Sequence, residues 1–486
     1  MRILFIVKDI DFIDSIGIML LSSLAKKNNH DTYLGILNRE DIIKKINEIR
    51  PQVIAYSATT GEHKYYIAIN KIIKSKFNDI FTIMGGAHTT FYPECINQSL
   101  LDAICVGEGE GAFTEVLGKV ERGEDVSSVK NIRTGSVPFI GVRNLVEELD
   151  NLPFPDRELF YKDTEMGQFP LKSFMTSRGC PYDCTYCFNH SFRKLYDNKG
   201  KILRRHSVNY VIDEILQVKK KYPLKFVKFY DDIFVYGVDE WLEEFAKRYK
   251  RDIDLPFHCL TRADLVDEET IRLLKSAGCL SISMSIEAGN AYFRNQVLKR
   301  DMTEKQILRA FQFCQKYGIK TFSNSIIGLP FSKLENEVET IDLNIKCKVS
   351  FVEFPIFHPY PRTELGDFCI EKGIYKPQYE LLHMFYMNRS PLTCFTEKEK
   401  NIQRNLGELG TLVVWLPFLK SLVLRYLIYF PNNKIFVLIY YFVKAYLVKT
   451  KIYPMRPGMK NLWKMFLKSL RLELFKHSDE RLRADV

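Results

Sequence analysis

Two hydrophobic rhythms divide the chain. Up to about residue 125, continuous apolar runs at 3–7, 32–37, 53–56, 81–84 and 103–106 alternate with stretches at 16–27, 41–49, 63–77 and 112–121. In those stretches apolar residues recur every three or four positions. Short continuous runs predict strands buried on both faces, and the longer periodic stretches predict the helices that cover them. The result is an α/β domain, a doubly wound, flavodoxin-like parallel sheet. The alternation resumes with runs at 172–176, 226–230, 256–260, 281–286, 320–326 and 351–357, separated by helical patterns at 208–222, 238–249, 268–277, 304–317 and 334–346. Six such units predict a partial (β/α)6 barrel whose site lies at the carboxyl ends of its strands. Between the halves, Leu152-Pro153-Phe154-Pro155-Asp156 marks a stiff connector. The expected domains are 1–125, a linker at 126–165, a barrel at 166–390 and a basic, apolar helical segment at 391–486.

Composition narrows the class. The 486 residues exceed one ordinary core, and 46% hydrophobic with 27% charged content excludes a disordered chain. The first apolar run is too short for a signal peptide, so a cytoplasmic protein is expected. Eleven scattered cysteines argue against a disulfide framework, and only Cys180, Cys184 and Cys187 cluster. The others read as small core or surface residues.

The net charge of +11 is concentrated at the end: between Leu409 and Leu472 there are 11 basic residues and no acidic one. Apolar runs at 411–419 and 435–443 are broken by Lys420, Arg425, Lys434 and Lys444, and neither can span a bilayer. Two readings stand: a buried helical cap on the barrel, or peripheral docking to an anionic membrane surface at its inner face. The second is suggested by Trp415, Tyr426, Tyr429, Phe430, Tyr440, Tyr441, Phe442, Tyr446, Trp463 and Phe466 among the cations. Such a segment would present a lipid or lipid-linked substrate. It is too apolar for a phosphate-tracking surface, so nucleic acid is not the expected partner.

The candidate chemistry sits in loops. Ser57-Ala58-Thr59-Thr60-Gly61, Gly85-Gly86-Ala87-His88 and Gly107-Glu108-Gly109-Glu110-Gly111 follow the third, fourth and fifth strands, where parallel sheets bind ligands. Their glycines permit close approach of a bulky ligand, or simply tight turns. Arg178-Gly179-Cys180-Pro181-Tyr182-Asp183-Cys184-Thr185-Tyr186-Cys187 follows the first barrel strand. Three thiolates at this spacing can hold three irons of a cubane and leave the fourth open for a small chelating ligand. A zinc site completed by His190 is the competing reading.

With Tyr186 just before its last cysteine, this stretch resembles the signature of the radical S-adenosylmethionine superfamily. Phe229-Tyr230-Asp231-Asp232, Thr261-Arg262-Ala263-Asp264, Ser285-Ile286-Glu287-Ala288-Gly289 and Asn324-Ser325-Ile326-Ile327-Gly328-Leu329-Pro330 match in order at successive strand ends. The resemblance implies a [4Fe–4S] cluster on Cys180, Cys184 and Cys187. It also implies S-adenosylmethionine near Tyr186, Asp231, Asp232, Arg262, Glu287, Ile327 and Gly328. The N-terminal half resembles the cobalamin-binding domain that precedes this barrel in class B methyltransferases and anaerobic oxidative cyclases, which implies cobalamin near Ser57, Gly85, Gly86, Gly107, Glu108 and Gly109. Two departures stand out. Asp9-Ile10-Asp11-Phe12-Ile13-Asp14 lacks the histidine that ligates cobalt from below in related domains, and Arg362 replaces a usual glycine. The implied chemistry is a 5′-deoxyadenosyl radical acting on an unactivated carbon of a lipid-linked or small-metabolite substrate. Methyl transfer comes first and oxidative cyclisation second, with an electron donor of flavodoxin or ferredoxin type. A non-catalytic Fe–S or cobalamin sensor is the reading from another class.

Overall fold

The computed structural model describes residues 1–10, 13–135, 137–382 and 389–454. Asp11 and Phe12, and the expected interface aromatics Trp463 and Phe466, lie outside the described residues.

The first sheet contains β1 (Arg2–Val7), β2 (Asp31–Ile36), β3 (Val53–Ser57), β4 (Phe81–Gly85), β5 (Ala103–Cys105) and β6 (Ile132–Arg133). Its order is β2-β1-β3-β4-β5-β6, parallel except for β6. The period of two explains the layers. Ile3, Phe5 and Val7 of β1 join one core, while Leu4 and Ile6 join the core on the opposite face. β6 carries this sheet past residue 125.

The second sheet contains β7 (Leu171–Phe174), followed by a small hairpin of β8 (Ser177–Arg178) and β9 (Arg204–Arg205). It then continues through β10 (Phe226–Phe229), β11 (Phe257–Leu260), β12 (Cys279–Ser283), β13 (Lys320–Asn324) and β14 (Phe351–Glu353). The six barrel strands run in the order β14-β13-β12-β11-β10-β7, all parallel. Val227, Phe229, Phe257 and Val352 bury themselves under the covering helices. The alternate positions carry the polar Lys228, His258, Ser281 and Glu353 beside the apolar Phe226 and Phe351.

The C-terminal segment packs on both of these sides. Helix Glu397–Trp415 starts at a capping box of Thr396 and Glu399 and buries Leu406, Leu409 and Val413 in the barrel's core. Helix Lys434–Leu447 then turns Tyr440 and Lys444 onto Glu353, at 3.1 and 2.5 Å. Beyond it, Ser281 donates to the carbonyl of Ile452 at 2.7 Å. No helix of the described residues is long and apolar enough to cross a bilayer.

The connector is packed between the halves. Phe160, Tyr161 and Met166 enter the N-terminal core. Asp14, in the loop after β1, accepts from Tyr161 and, at 2.6 Å, from the amide of Ser173 in β7. Arg157 joins Asp14 to Glu214, at 3.3 and 2.7 Å. This buried network ties the first loop of one sheet to the first strand of the other.

Candidate functional site

The cysteine loop leaves β8 through Gly179, whose φ is +92°. A Cβ there would lie 2.2 Å from the carbonyl of Ile202, so a side chain is excluded. Thr185 pins the loop's centre: its hydroxyl donates to Val297 at 2.6 Å and its carbonyl accepts from Leu365 at 2.9 Å. Cys187 donates its amide to Cys184 at 3.0 Å, and helix Phe188–Leu195 follows at once. Cys184 is buried, while Cys180 and Cys187 are half-buried. Burial raises the Cys180 thiol and pushes Cys187 up to about 12, and charge on the neighbouring thiols adds to both shifts. Positive charge nearby favours the thiolate form of such buried thiols.

That charge is present. Arg262 and Arg300 place Nη1 atoms 3.6 and 3.8 Å from the Cys184 sulfur. Arg262 is locked by Asp264 at 3.0 and 3.1 Å, lies 3.5 Å over the Tyr182 ring and donates to the carbonyl of Arg300 at 2.7 Å. Arg300 is held by the carbonyl of Ser285 at 2.9 Å. Three cysteines with two fixed guanidiniums on one sulfur suit an anionic iron–sulfur cluster. Among the described residues no three His, Cys, Asp or Glu gather around a single-ion site. His190 instead turns Nδ1 to Asp183 at 2.7 Å. The zinc reading gains nothing from this geometry.

The rim residues divide. Tyr186 donates to Glu287 at 2.8 Å, and Arg300 reaches the Tyr186 hydroxyl at 3.4 Å, so the structure brings Tyr186, Arg262, Glu287 and the cysteines together. Burial raises the Glu287 carboxyl, opposed by the charge of Arg300. Asp232 is exposed beside the loop, near enough for its charge to act on Cys180 and Cys187. Asp231 lies beneath the loop's root. Its Oδ1 accepts from Thr176 at 2.8 and 3.0 Å and from Ser177 at 2.5 and 2.7 Å, while Oδ2 is buried without a partner among the described residues. Burial pushes its carboxyl up to about 6, against those hydrogen bonds. Ile327 is a core residue with its peptide groups spent on Pro355 and Phe357. Gly328 gives its amide to Glu337 at 2.9 Å.

Arg300 escaped the sequence reading. It stands in the turn before helix Glu304–Lys316, not at a strand end, and Lys299-Arg300-Asp301 reads as solvated charge. Its two neighbours both have positive φ, +49° and +52°, an uncommon backbone for residues with side chains.

On the N-terminal sheet, Ser57, Gly85 and Gly86 meet at the ends of β3 and β4. Gly86 has φ +99°, and a Cβ would sit 2.7 Å from the carbonyl of Ala58. Beside them the rings of His63 and His88 stack at 3.6 Å. Burial lowers them to about 4 and about 3, so both are neutral. Nε2 of His88 is buried with no partner among the described residues, an orphan that suits a bound ligand. The loop of Gly107, Glu108 and Gly109 packs against Tyr196, Arg178 and Arg204. A Cβ on Gly107 would lie 2.1 Å from the Tyr196 hydroxyl, which accepts from the Glu108 amide at 2.7 Å. The Glu108 carboxylate takes Arg204 at 2.7 Å and Arg178 at 3.2 Å. Arg178 also pairs with Glu110 at 2.7 Å, and it stands two residues before Cys180. The third glycine loop therefore joins the N-terminal sheet to the root of the cysteine loop.

Comparison with known sequences agrees with this arrangement. The radical SAM superfamily matches residues 174–343, and the B12 binding domain matches residues 11–117. The chain is a B12-binding radical SAM enzyme. Enzymes of this kind use a [4Fe–4S] cluster, S-adenosylmethionine and cobalamin. An uncharacterized methyltransferase of Pyrococcus horikoshii is 27% identical over 370 residues, 74% of this chain and 79% of that one. The anaerobic magnesium-protoporphyrin IX monomethyl ester cyclase of Rubrivivax gelatinosus is 25% identical over 448 residues, 81% of this chain and 79% of that one. The fold is shared with the radical S-adenosylmethionine methyltransferase TsrM of Kitasatospora setae, at TM-score 0.63 and 17% identity, covering 78% of this chain and 79% of that one.

Proposed function

We propose that this radical SAM enzyme is a cobalamin-dependent methyltransferase acting on an unactivated carbon of a lipid-linked or small-metabolite substrate. The observation that carries the reading is the pairing of Arg178 with Glu108 and Glu110, at 3.2 and 2.7 Å. It fixes the carboxyl-end loops of one sheet against the cysteine loop of the other, so groups held at the two rims flank one substrate space. When bound, the cluster with S-adenosylmethionine supplies a 5′-deoxyadenosyl radical, and cobalamin supplies a transferable methyl group. Cys180, Cys184 and Cys187 hold the cluster, and Arg262 and Arg300 offset its charge. Tyr186 and Glu287 offer paired polar groups to S-adenosylmethionine, with Asp232 at the open edge. Ser57, Gly85, Gly86 and His88 receive cobalamin.

A second reading, oxidative cyclisation, is favoured by the match to the Rubrivivax cyclase over 81% of this chain. Products separate the two. Methyl transfer releases S-adenosylhomocysteine and 5′-deoxyadenosine in equal amounts, whereas cyclisation releases 5′-deoxyadenosine alone. The assay uses the anaerobically reconstituted chain with a flavodoxin-type or ferredoxin-type reductant. Cys184→Ala should lose the iron–sulfur absorbance and both products. 5′-Deoxyadenosine without S-adenosylhomocysteine would reject the methyltransferase.

A further inference from the structure

We propose that the outer face of the C-terminal helical segment is a docking surface for an anionic lipid bilayer. A helix on the surface of a water-soluble domain carries one apolar stripe towards the core and polar residues opposite. Helix Lys434–Leu447 carries two apolar stripes. Phe436, Tyr440, Val443 and Leu447 are buried against the barrel. Ile435, Leu438, Phe442 and Tyr446, at helical spacing on the other side, are 65, 41, 65 and 45% exposed. Trp415 packs its ring on Tyr446 at 5.4 Å, and the preceding turns also expose Phe418 at 77% and Tyr426 at 63%. Ten of the 21 large apolar side chains exposed among the described residues lie between Trp415 and Tyr446. Such a concentration marks an interaction surface rather than scattered exposure.

Charge identifies the occupant. No acidic residue occurs between Leu409 and Leu472. Arg425 and Lys434 are exposed at the patch, and neither forms an ion pair among the described residues. A second copy of this chain would oppose one cationic face to another. Residues 455–486 carry eight basic and four acidic side chains, so they bring the same sign. An anionic leaflet offers the opposite charge together with an apolar layer, and tyrosine and tryptophan are suited to the boundary between them. The same helix seats Tyr440 and Lys444 on Glu353, the last residue of β14. Docking would therefore bring the barrel's rim within about one helix diameter, roughly 10 Å, of the lipid.

The test is flotation of the reconstituted full chain with phosphatidylcholine vesicles, with and without phosphatidylglycerol, at low and high salt. We expect flotation with phosphatidylglycerol at low salt and its loss at high salt. Arg425→Gln with Lys434→Gln should weaken partition on the order of 25-fold. Phe442→Ser with Tyr446→Ser should weaken it about tenfold or more. Both variants change exposed positions and should keep the cluster absorbance and the wild-type unfolding temperature. Wild-type chain that stays in the bottom fraction overturns the proposal, as does equal flotation with phosphatidylcholine alone. A dimer that Phe442→Ser converts to monomer, without any flotation, would assign the face to a second copy instead.

Discussion

Arg300 offers the sharpest test of the cluster site, because its expected effect can be calculated. Its Nη1 lies 3.8 Å from the sulfur of Cys184 in a buried setting. At an effective dielectric constant of about 20, a unit charge at that separation is worth about 4 kcal/mol. The electron added on reduction is shared over the whole cluster, and most of that charge lies farther off than this sulfur, so about 2 kcal/mol is a fair share. For a one-electron couple this corresponds to about 90 mV. Arg300→Met should therefore lower the reduction potential by about that amount, since the cationic neighbour favours the more negative state. Arg300→Lys keeps the charge and should keep most of the potential, although one ammonium cannot reproduce the fork between Ser285 and the sulfur. Glu287→Gln, which removes a negative charge from the same group, should shift the potential upward. The measurement is a redox titration followed by electron paramagnetic resonance, normalised to iron and sulfide content. A full cluster in Arg300→Met with a potential within about 20 mV of wild type would refute the electrostatic reasoning, leaving Arg300 a structural tie between Ser285 and the loop.

Two further outcomes concern buried carboxyls with opposite pH behaviour. Burial alone would raise Glu108, but the Arg204 hydrogen bond and the charges of Arg178 and Arg204 hold it below the usual carboxylate range. Its stabilisation is therefore present above the ordinary glutamate value and lost as pH falls through the lower folded value. Glu108→Ala should cost about 3–5 kcal/mol in denaturant unfolding at neutral pH, because it leaves buried guanidiniums uncompensated, and a loss under about 1 kcal/mol would contradict the clamp. Glu337 goes the other way: burial pushes its carboxyl up to about 7, against hydrogen bonds from Gly328 and Ser332. Stability from this group is complete below the ordinary value and is lost as pH rises through about 7. Glu337→Gln keeps an oxygen for both donors, so it should remove up to about 3 kcal/mol of that decline between pH 5 and 8 in thermal melts. Parallel profiles for wild type and variant would argue against it.

What could be read along the chain, and what could not, follows from the range of each interaction. The parallel strands were legible because burial on both faces writes continuous apolar runs. The topology then gathers their following loops on one rim, where Tyr186, Arg262 and Glu287, singled out by the resemblance, lie close to the cysteine loop. Two-residue strands such as β6 and the β8–β9 hairpin leave no period to detect. Contacts set by tertiary packing left no local mark either. Gly107 reads from the sequence as part of a ligand loop, and its packing against Tyr196 leaves no sign there. Arg300 approaches the rim from the start of a helix, a route that a search of strand ends does not cover. The C-terminal segment failed for a different reason. A buried cap and a lipid-facing surface looked like alternatives because both predict apolar residues, and a helix apolar all round has too little amphipathic contrast to choose between them. In the structure one face of that helix is buried and the other is exposed. Phe436, Tyr440, Val443 and Leu447 face the barrel, while the outer stripe is left to be explained by the missing acids. Composition thus carried information there that periodicity could not.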